Sequence, residues 1–504
     1  MAECPLNGVL MTLTRNRPSA VPLALGVLAL LTACQAGPAP APGAAVAVAA
    51  EVELLIEGGT VVTMDAERRV LKGAAIAIRG GEIVAVLEAG EPRPSASETL
   101  DAAGRLVIPG LVNTHGHVPM VLFRGLADDM PLMEWLNDFI FPAEARTVDA
   151  EFCYWGTLLA GIEMARSGTT TFSDMYYFEG DMARATDEIG LRAVLGQTII
   201  GFPAPDYKSP KDALRGVEAF VKRWKGHPRV TPSIAPHALY TTDVETVRAS
   251  AALAKRLGVP FQIHANESPA EDAAVRERFG GTSFEVLERE GILGPNVILH
   301  HGITLTPAQR KTCAEHGIGI SHNVESNMKG ASGLLDLQAT LDAGVAVGLG
   351  TDGGAGNNNL DMFEEMDTCA KIHKLHAGDP AAMPAKLVFE LATRGGAKVL
   401  GLEAQIGSLE VGKRADVVLI DLRAPELTPL YDVYSHLVYA IKGGHVETVI
   451  VDGRVIVKAR AMQTVDTERV LKQARAIQAK ILTALAAFRK ERAAKKKKAG
   501  KEGG

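Results

Sequence analysis

Leu111-Val112-Asn113-Thr114-His115-Gly116-His117 is the stretch that decides the fold. It starts as a short strand and ends in two histidines separated by one glycine. Side chains two apart on an extended segment face the same way, so both imidazoles can reach one ion, and Gly116 lets the backbone approach closely. A lone His-x-His arises readily by chance, so its meaning rests on what the chain carries at equivalent places further on.

Outward from the first run at 111–114, seven more apolar or β-branched runs follow at 169–173, 192–199, 230–235, 260–264, 296–300, 317–321 and 345–350. Helical patterns lie between them, as at 244–257 and 284–290. Eight strand–helix alternations predict an α/β fold, a (β/α)8 TIM-type barrel, and in such barrels chemistry sits where the strands end. The fifth run ends in His264-Ala265-Asn266-Glu267, the sixth in His300-His301-Gly302 and the eighth in Thr351-Asp352-Gly353. Histidines and an aspartate gathered at strand ends form a nitrogen and oxygen donor set suited to one divalent ion, Zn²⁺ or Fe²⁺. His300 taken by itself reads as a core or supporting residue.

On either side of the barrel, runs at 52–62, 74–78 and 83–87 are split by glycine pairs, and 415–421 and 448–457 repeat that style. A small β-sandwich built from both ends of the catalytic region is expected, with its parts at 51–110 and 401–460 around a barrel at 111–400. Residues 461–504 are expected to be a C-terminal helix with a solvated, frayed tail that contains Lys495 to Lys498. The net charge of -6 gives no basic field for nucleic acid, so a small molecule is the expected partner. Five widely spaced cysteines without a CxxC pair make neither a disulfide framework nor a thiolate metal site, so any metal is expected to be held by histidines and carboxylates.

At the amino terminus Arg15 and Arg17 precede an apolar run at 21–31, followed by Leu31-Thr32-Ala33-Cys34. This segment resembles a bacterial lipoprotein lipobox. The resemblance implies that residues 1–33 are a signal peptide, that Cys34 is lipidated, and that the enzyme is anchored to a membrane of the cell envelope on its extracytoplasmic side. Residues 34–50, mostly Ala, Pro, Gly and Val, read as a tether.

With the strand-end residues in view, the chain over roughly residues 51–460 resembles the amidohydrolase superfamily, in the branch of cytosine/adenosine-deaminase-like and triazine-hydrolysing enzymes. That resemblance implies that His115, His117, His264 and Asp352 bind one metal, while Glu267, His301 and Asp352 handle protons. A closer similarity, to 5-methylthioadenosine/S-adenosylhomocysteine deaminases, is carried by several stretches. His117-Val118-Pro119-Met120 leads to Phe123-Arg124-Gly125-Leu126-Ala127-Asp128-Asp129 and Pro131-Leu132-Met133-Glu134-Trp135-Leu136. Phe141-Pro142-Ala143-Glu144, Pro236-His237-Ala238-Leu239-Tyr240 and Ser326-Asn327-Met328-Lys329 follow the same pattern. It implies that Glu144 holds ribose hydroxyls, which suits a carboxylate accepting two hydrogen bonds, and that His237 faces the substrate along with Glu267 and Asp352. Trp135 and Phe123 suit the wall of an adenine-sized pocket and the core behind a barrel strand equally, and the family admits a homodimer.

The expected reaction is metal-dependent hydrolytic deamination of an adenine nucleoside to the inosine analogue and ammonia. The same scaffold leaves open guanine-like bases, s-triazines or another cyclic amidine, and a non-catalytic nucleoside-binding lipoprotein is disfavoured by the complete proton-handling set. Three departures from the pattern concern substrate contacts. Thr304 stands where a second histidine is common, Gly356 where serine is frequent, and the loop 201–211 has lysines but no arginine to clamp a substrate tail.

Overall fold

The computed structural model describes residues 51–502, so the expectations for the signal peptide, Cys34 and the tether lie outside the described residues. Strands β1 (Val52–Val62), β2 (Val70–Arg79), β3 (Glu82–Leu87), β4 (Ala96–Asp101) and β5 (Arg105–Pro109) open the described chain. The barrel follows as β6 (Leu111–Asn113), β7 (Thr169–Tyr176), β8 (Arg192–Ile199), β9 (Val230–Pro236), β10 (Phe261–Ala265), β11 (Val297–His301), β12 (Gly319–His322) and β13 (Ala346–Leu349). After it come β14 (Val417–Asp421), β15 (Val446–Val451), β16 (Arg454–Lys458) and β17 (Ala461–Met462).

The eight strands from β6 to β13 pair in sequence order as one parallel sheet. Thr114 N–H donates to Leu349 O at 2.9 Å and Asp352 N–H to His115 O at 3.0 Å, which brings the last strand back to the first and closes the barrel. Every residue of β7, β8, β10 and β11 is buried, as strands covered on both faces must be. The returning helices begin at Asp149, Ser209, Asp243 and Thr306, whose side chains accept the first free N–H groups. Each expected strand is present. The second runs three residues beyond Ser173, because Asp174 interrupts the apolar pattern without interrupting the strand.

Both ends of the catalytic region enter one nine-stranded sheet, in which β5 lies antiparallel to β14 with Val107 opposite Leu419. Gly110 joins β5 to β6, and a Cβ there would lie 1.9 Å from Thr170 Oγ1, so the crossing from sheet to barrel admits glycine alone. A helix from Thr467 to Glu502 closes the described chain. It continues through the lysine run expected to fray, in keeping with the helix propensity of Ala, Lys and Glu. Among the described residues, no helix is long and apolar enough to cross a membrane.

Candidate metal centre and active site

The centre is assembled from strand ends whose side chains are oriented by what lies beneath them. Below it, Gln262 joins three strands: it donates to Ser233 Oγ at 2.6 Å, accepts from Ser173 Oγ at 2.8 Å and meets His300 Nε2 at 3.2 Å. His300 thus belongs to the polar floor, and His115 stacks on it with ring centroids 3.8 Å apart. His117 Nδ1 lies 2.6 Å from Met175 O, and His264 Nδ1 lies 2.8 Å from His237 O. A carbonyl only accepts, so both Nδ1 atoms carry hydrogen and both Nε2 atoms keep their lone pairs for the centre.

His115 is fully buried and neither of its ring nitrogens has a hydrogen-bond partner. Such a group is costly to leave unpaired, and its surroundings explain how that cost is met. One ligand atom each from His115, His117 and His264 fall within 4.8 Å of one another, and the same holds for His115, His301 and Asp352. Asp352 Oδ1 lies 3.6 Å from both His115 Nε2 and His117 Nε2. Burial and the neighbouring imidazoles push His115 and His264 well below the ordinary histidine range, so they stand as neutral donors. Neutral imidazoles around a carboxylate, with an orphaned nitrogen among them, fit a single divalent cation.

Asp352 is held from two sides, by Ser326 Oγ at 2.6 Å and by the Gly353 N–H at 2.6 Å. His301 Nδ1 lies 2.8 Å from Asn327 Oδ1, which leaves Nε2 free and 3.9 Å from Glu267 Oε1. Tyr240 donates to Glu267 Oε2 at 3.2 Å, while burial pushes the Glu267 carboxyl above its usual range. Asn266, His301 and Asp352 all adopt positive φ, at 56°, 75° and 61°. Backbone strain of this kind concentrates where side chains must be aimed.

These groups open into a cavity that, with its open mouth, takes in ≈ 1050 Å³. His117, His264, Glu267, His301 and Asp352 line its base, and Glu144, His237 and Trp135 line its walls. The structure therefore brings the expected metal-binding, proton-handling and substrate-contacting residues His117, Glu144, His237, His264, Glu267, His301 and Asp352 to one place, with His115 directly beneath. Glu144 sits on the helix Phe141–Thr147 and accepts from Tyr176 Oη at 2.7 Å and Tyr177 Oη at 3.5 Å. Burial raises its carboxyl to about 7 even against those two donors. His237 Nδ1 meets Thr241 Oγ1 at 2.8 Å, and burial lowers its imidazole to about 3, so it is neutral. Phe123 does not wall the pocket. It is 1% exposed and packs on Phe152 with centroids 4.9 Å apart, as an apolar residue following a barrel strand will when a core lies behind it.

Tyr176 and Tyr177 are site residues that the sequence reading missed. The available signal was strand position, since Tyr176 is the last residue of β7. Thr304, one of the departures, does not line the cavity; it accepts from Asn266 Nδ2 at 3.0 Å and supports that strained turn. Gly356 does line it, and a side chain there would meet only ordinary contacts at 3.6 and 3.8 Å.

The model of the amidohydrolase family matches residues 106–456. The chain is 44% identical over 430 residues to a 5-methylthioadenosine/S-adenosylhomocysteine deaminase of Syntrophobacter fumaroxidans, covering 85% of this chain and 98% of that protein. It is 42% identical over 425 residues to a 5′-deoxyadenosine deaminase of Methanosarcina acetivorans, covering 84% and 97%. The crystal structure of an adenosine deaminase from Xanthomonas campestris with bound zinc matches with a TM-score of 0.85 at 38% identity, covering 86% of this chain and all of that one.

Proposed function

The chain belongs to the amidohydrolase family, and on that premise we propose that it removes the exocyclic amine of adenine nucleosides by metal-dependent hydrolysis, giving the inosine analogue and ammonia. The observation that carries the reading is the orphaned His115 Nε2, 3.6 Å from Asp352 Oδ1, beside a free His301 Nε2 and Glu267, at the base of a cavity that also presents Glu144.

His115, His117, His264 and Asp352 would hold the ion, with Zn²⁺ favoured by the donor set and by the zinc in the Xanthomonas relative. A divalent ion there makes water a competent nucleophile near neutral pH. Glu267, its carboxyl raised by burial and steadied by Tyr240, takes a proton from the attacking water and delivers it to the ring nitrogen next to the reacting carbon. His301, with its free nitrogen toward Glu267, and Asp352 guide protons to the departing amine. Glu144 accepts the ribose hydroxyls, and neutral His237 donates to or accepts from the nucleoside opposite it.

The substituent at the ribose 5′ position is read from the remaining walls. Among the described residues no arginine lines the cavity, and the lysine that does, Lys329, is already bonded to Asp128 and Asn358. Met130, Leu132 and Leu136 offer apolar surface instead. A small uncharged group, 5′-methylthio or 5′-deoxy, fits these walls better than an amino-acid tail that needs a guanidinium partner. Ammonia release from 5′-methylthioadenosine, 5′-deoxyadenosine, S-adenosylhomocysteine, adenosine, adenine, guanine and a chloro-triazine tests both levels. The first two should turn over fastest; turnover confined to free bases or the triazine would remove the nucleoside assignment. Envelope anchoring through Cys34 is a separate proposal, supported by the lipobox pattern and tested by labelling cells with a radioactive fatty acid in wild type and Cys34→Ala.

A further inference from the structure

Outside the cavity wall a second group of metal-type donors comes together. His322 is the last residue of β12, while Cys369 and His373 stand one turn apart on the helix Met362–Ala377 and so share a face. Cys369 Sγ and one ring nitrogen of each histidine all lie within 4.8 Å of one another, all three residues are buried, and none lines the cavity. The two Nε2 atoms are 2.9 Å apart. A single N–H···N bond accounts for that pair, yet it leaves His322 Nδ1 buried without a partner and gives no reason for a thiol at the same point. Glu365, one turn before Cys369 on the same face, is 0% exposed and has an unpartnered Oε2.

We propose that His322, Cys369 and His373 hold a second, structural divalent cation of borderline-soft character, as Zn²⁺ is, pinning the end of β12 to the helix behind it. The imidazoles bind as neutral ligands, and Cys369 binds as thiolate after releasing its proton to solvent. The thiolate offsets part of the charge of the dication, and the buried Glu365 stands one turn away on the same helix. The pin stands next to the turn carrying Asn323 and Asn327, the latter bonded to His301, so it would steady the support of a proton-handling residue without touching substrate.

Loading the full-length protein with Co²⁺ distinguishes the two sites, because the catalytic set contains only nitrogen and oxygen donors. A thiolate-to-Co²⁺ charge-transfer band in the near ultraviolet therefore reports the second site alone. The expected result is two equivalents of Co²⁺ per chain, with Cys369→Ala losing the band and one equivalent while retaining deaminase turnover. His373→Gln should likewise fall to one equivalent, which keeps the test open if either variant folds poorly. A wild-type protein that binds one equivalent without a thiolate band, or a Cys369→Ala protein that still binds two, overturns the proposal.

Discussion

At the amino-terminal mouth of the barrel, Arg192 is 2% exposed and its guanidinium meets both oxygens of Asp416, itself 3% exposed, at 3.0 and 3.1 Å. The remaining capacity of the pair is used by Pro228 O and the Asp452 N–H, at 2.9 and 2.8 Å. At the carboxyl mouth His115 is equally buried, and neither of its nitrogens is bonded. One end of the barrel satisfies its buried charge and ties barrel to sheet; the other leaves buried donors open for something that binds. In barrels of this kind stability and chemistry are separated along the strand direction.

Breaking each end should therefore fail differently. Glu267→Gln should lower turnover by about 10²- to 10⁴-fold, the range for loss of a positioned acid–base group, with metal content and melting temperature unchanged. Near-wild-type turnover by the Glu267→Gln enzyme would sink the proton-transfer role. Asp416→Ala should cost about 3–5 kcal/mol of stability, because it removes the bidentate partner of a buried charge and leaves Arg192 only the Asp452 carboxylate, 3.6 Å away. Chemical denaturation checks that loss, and the fraction that remains folded should deaminate with a kcat close to wild type. If kcat falls with stability intact, the two ends are not separable.

Glu144 sharpens the comparison because its state changes near neutral pH. Burial raises its carboxyl from 4.5 to about 7, against the lowering effect of Tyr176 and Tyr177. A folded-state value above the unfolded one means that its contribution to stability is present below about pH 4.5 and lost as pH rises through about 7. With Glu144 holding the ribose as proposed, substrate binding runs the other way, since only the carboxylate accepts two hydroxyls. The kcat/KM for a nucleoside should rise through a limb near pH 7 that free adenine lacks. Glu144→Gln should remove the limb and cost about 10- to 100-fold in nucleoside kcat/KM, as for a lost hydrogen bond to a charged group. A pH profile that the substitution leaves unaltered would separate Glu144 from the ribose.

How much of this was legible in the chain follows from what each residue does. His115, His117, His264, His301 and Asp352 stand at the ends of apolar runs, and position along the strand direction is readable from a linear pattern. The eight barrel strands are legible for the same reason, since burial on both faces demands apolar runs. Tyr176 is hidden because Asp174 shortens the apparent strand, and Tyr177 because nothing local says which wall it faces. Phe123 shows the converse: its type suits a pocket and a core equally, and only packing against Phe152 decides. The juxtaposition of His322 with Cys369 and His373 depends on how a helix docks behind β12, which spacing along the chain does not encode.

The smallest expected effects come from the two hydroxyls that hold Glu144, and their order is fixed by distance. Tyr176 donates at 2.7 Å and Tyr177 at 3.5 Å, so the first stabilises the carboxylate more than the second. Each removal raises the Glu144 carboxyl further, because a donor to the charged form is lost while burial persists. Tyr177→Phe should therefore move the nucleoside limb slightly to higher pH, by less than about 1 kcal/mol in equivalent energy, and Tyr176→Phe should move it further in the same direction. On the proposed ribose role, neither change should alter turnover of free adenine, which has no ribose to offer Glu144. A limb that moves to lower pH in either variant would mean that the tyrosines favour the protonated carboxyl, and that ribose binds at neutral pH through some other group.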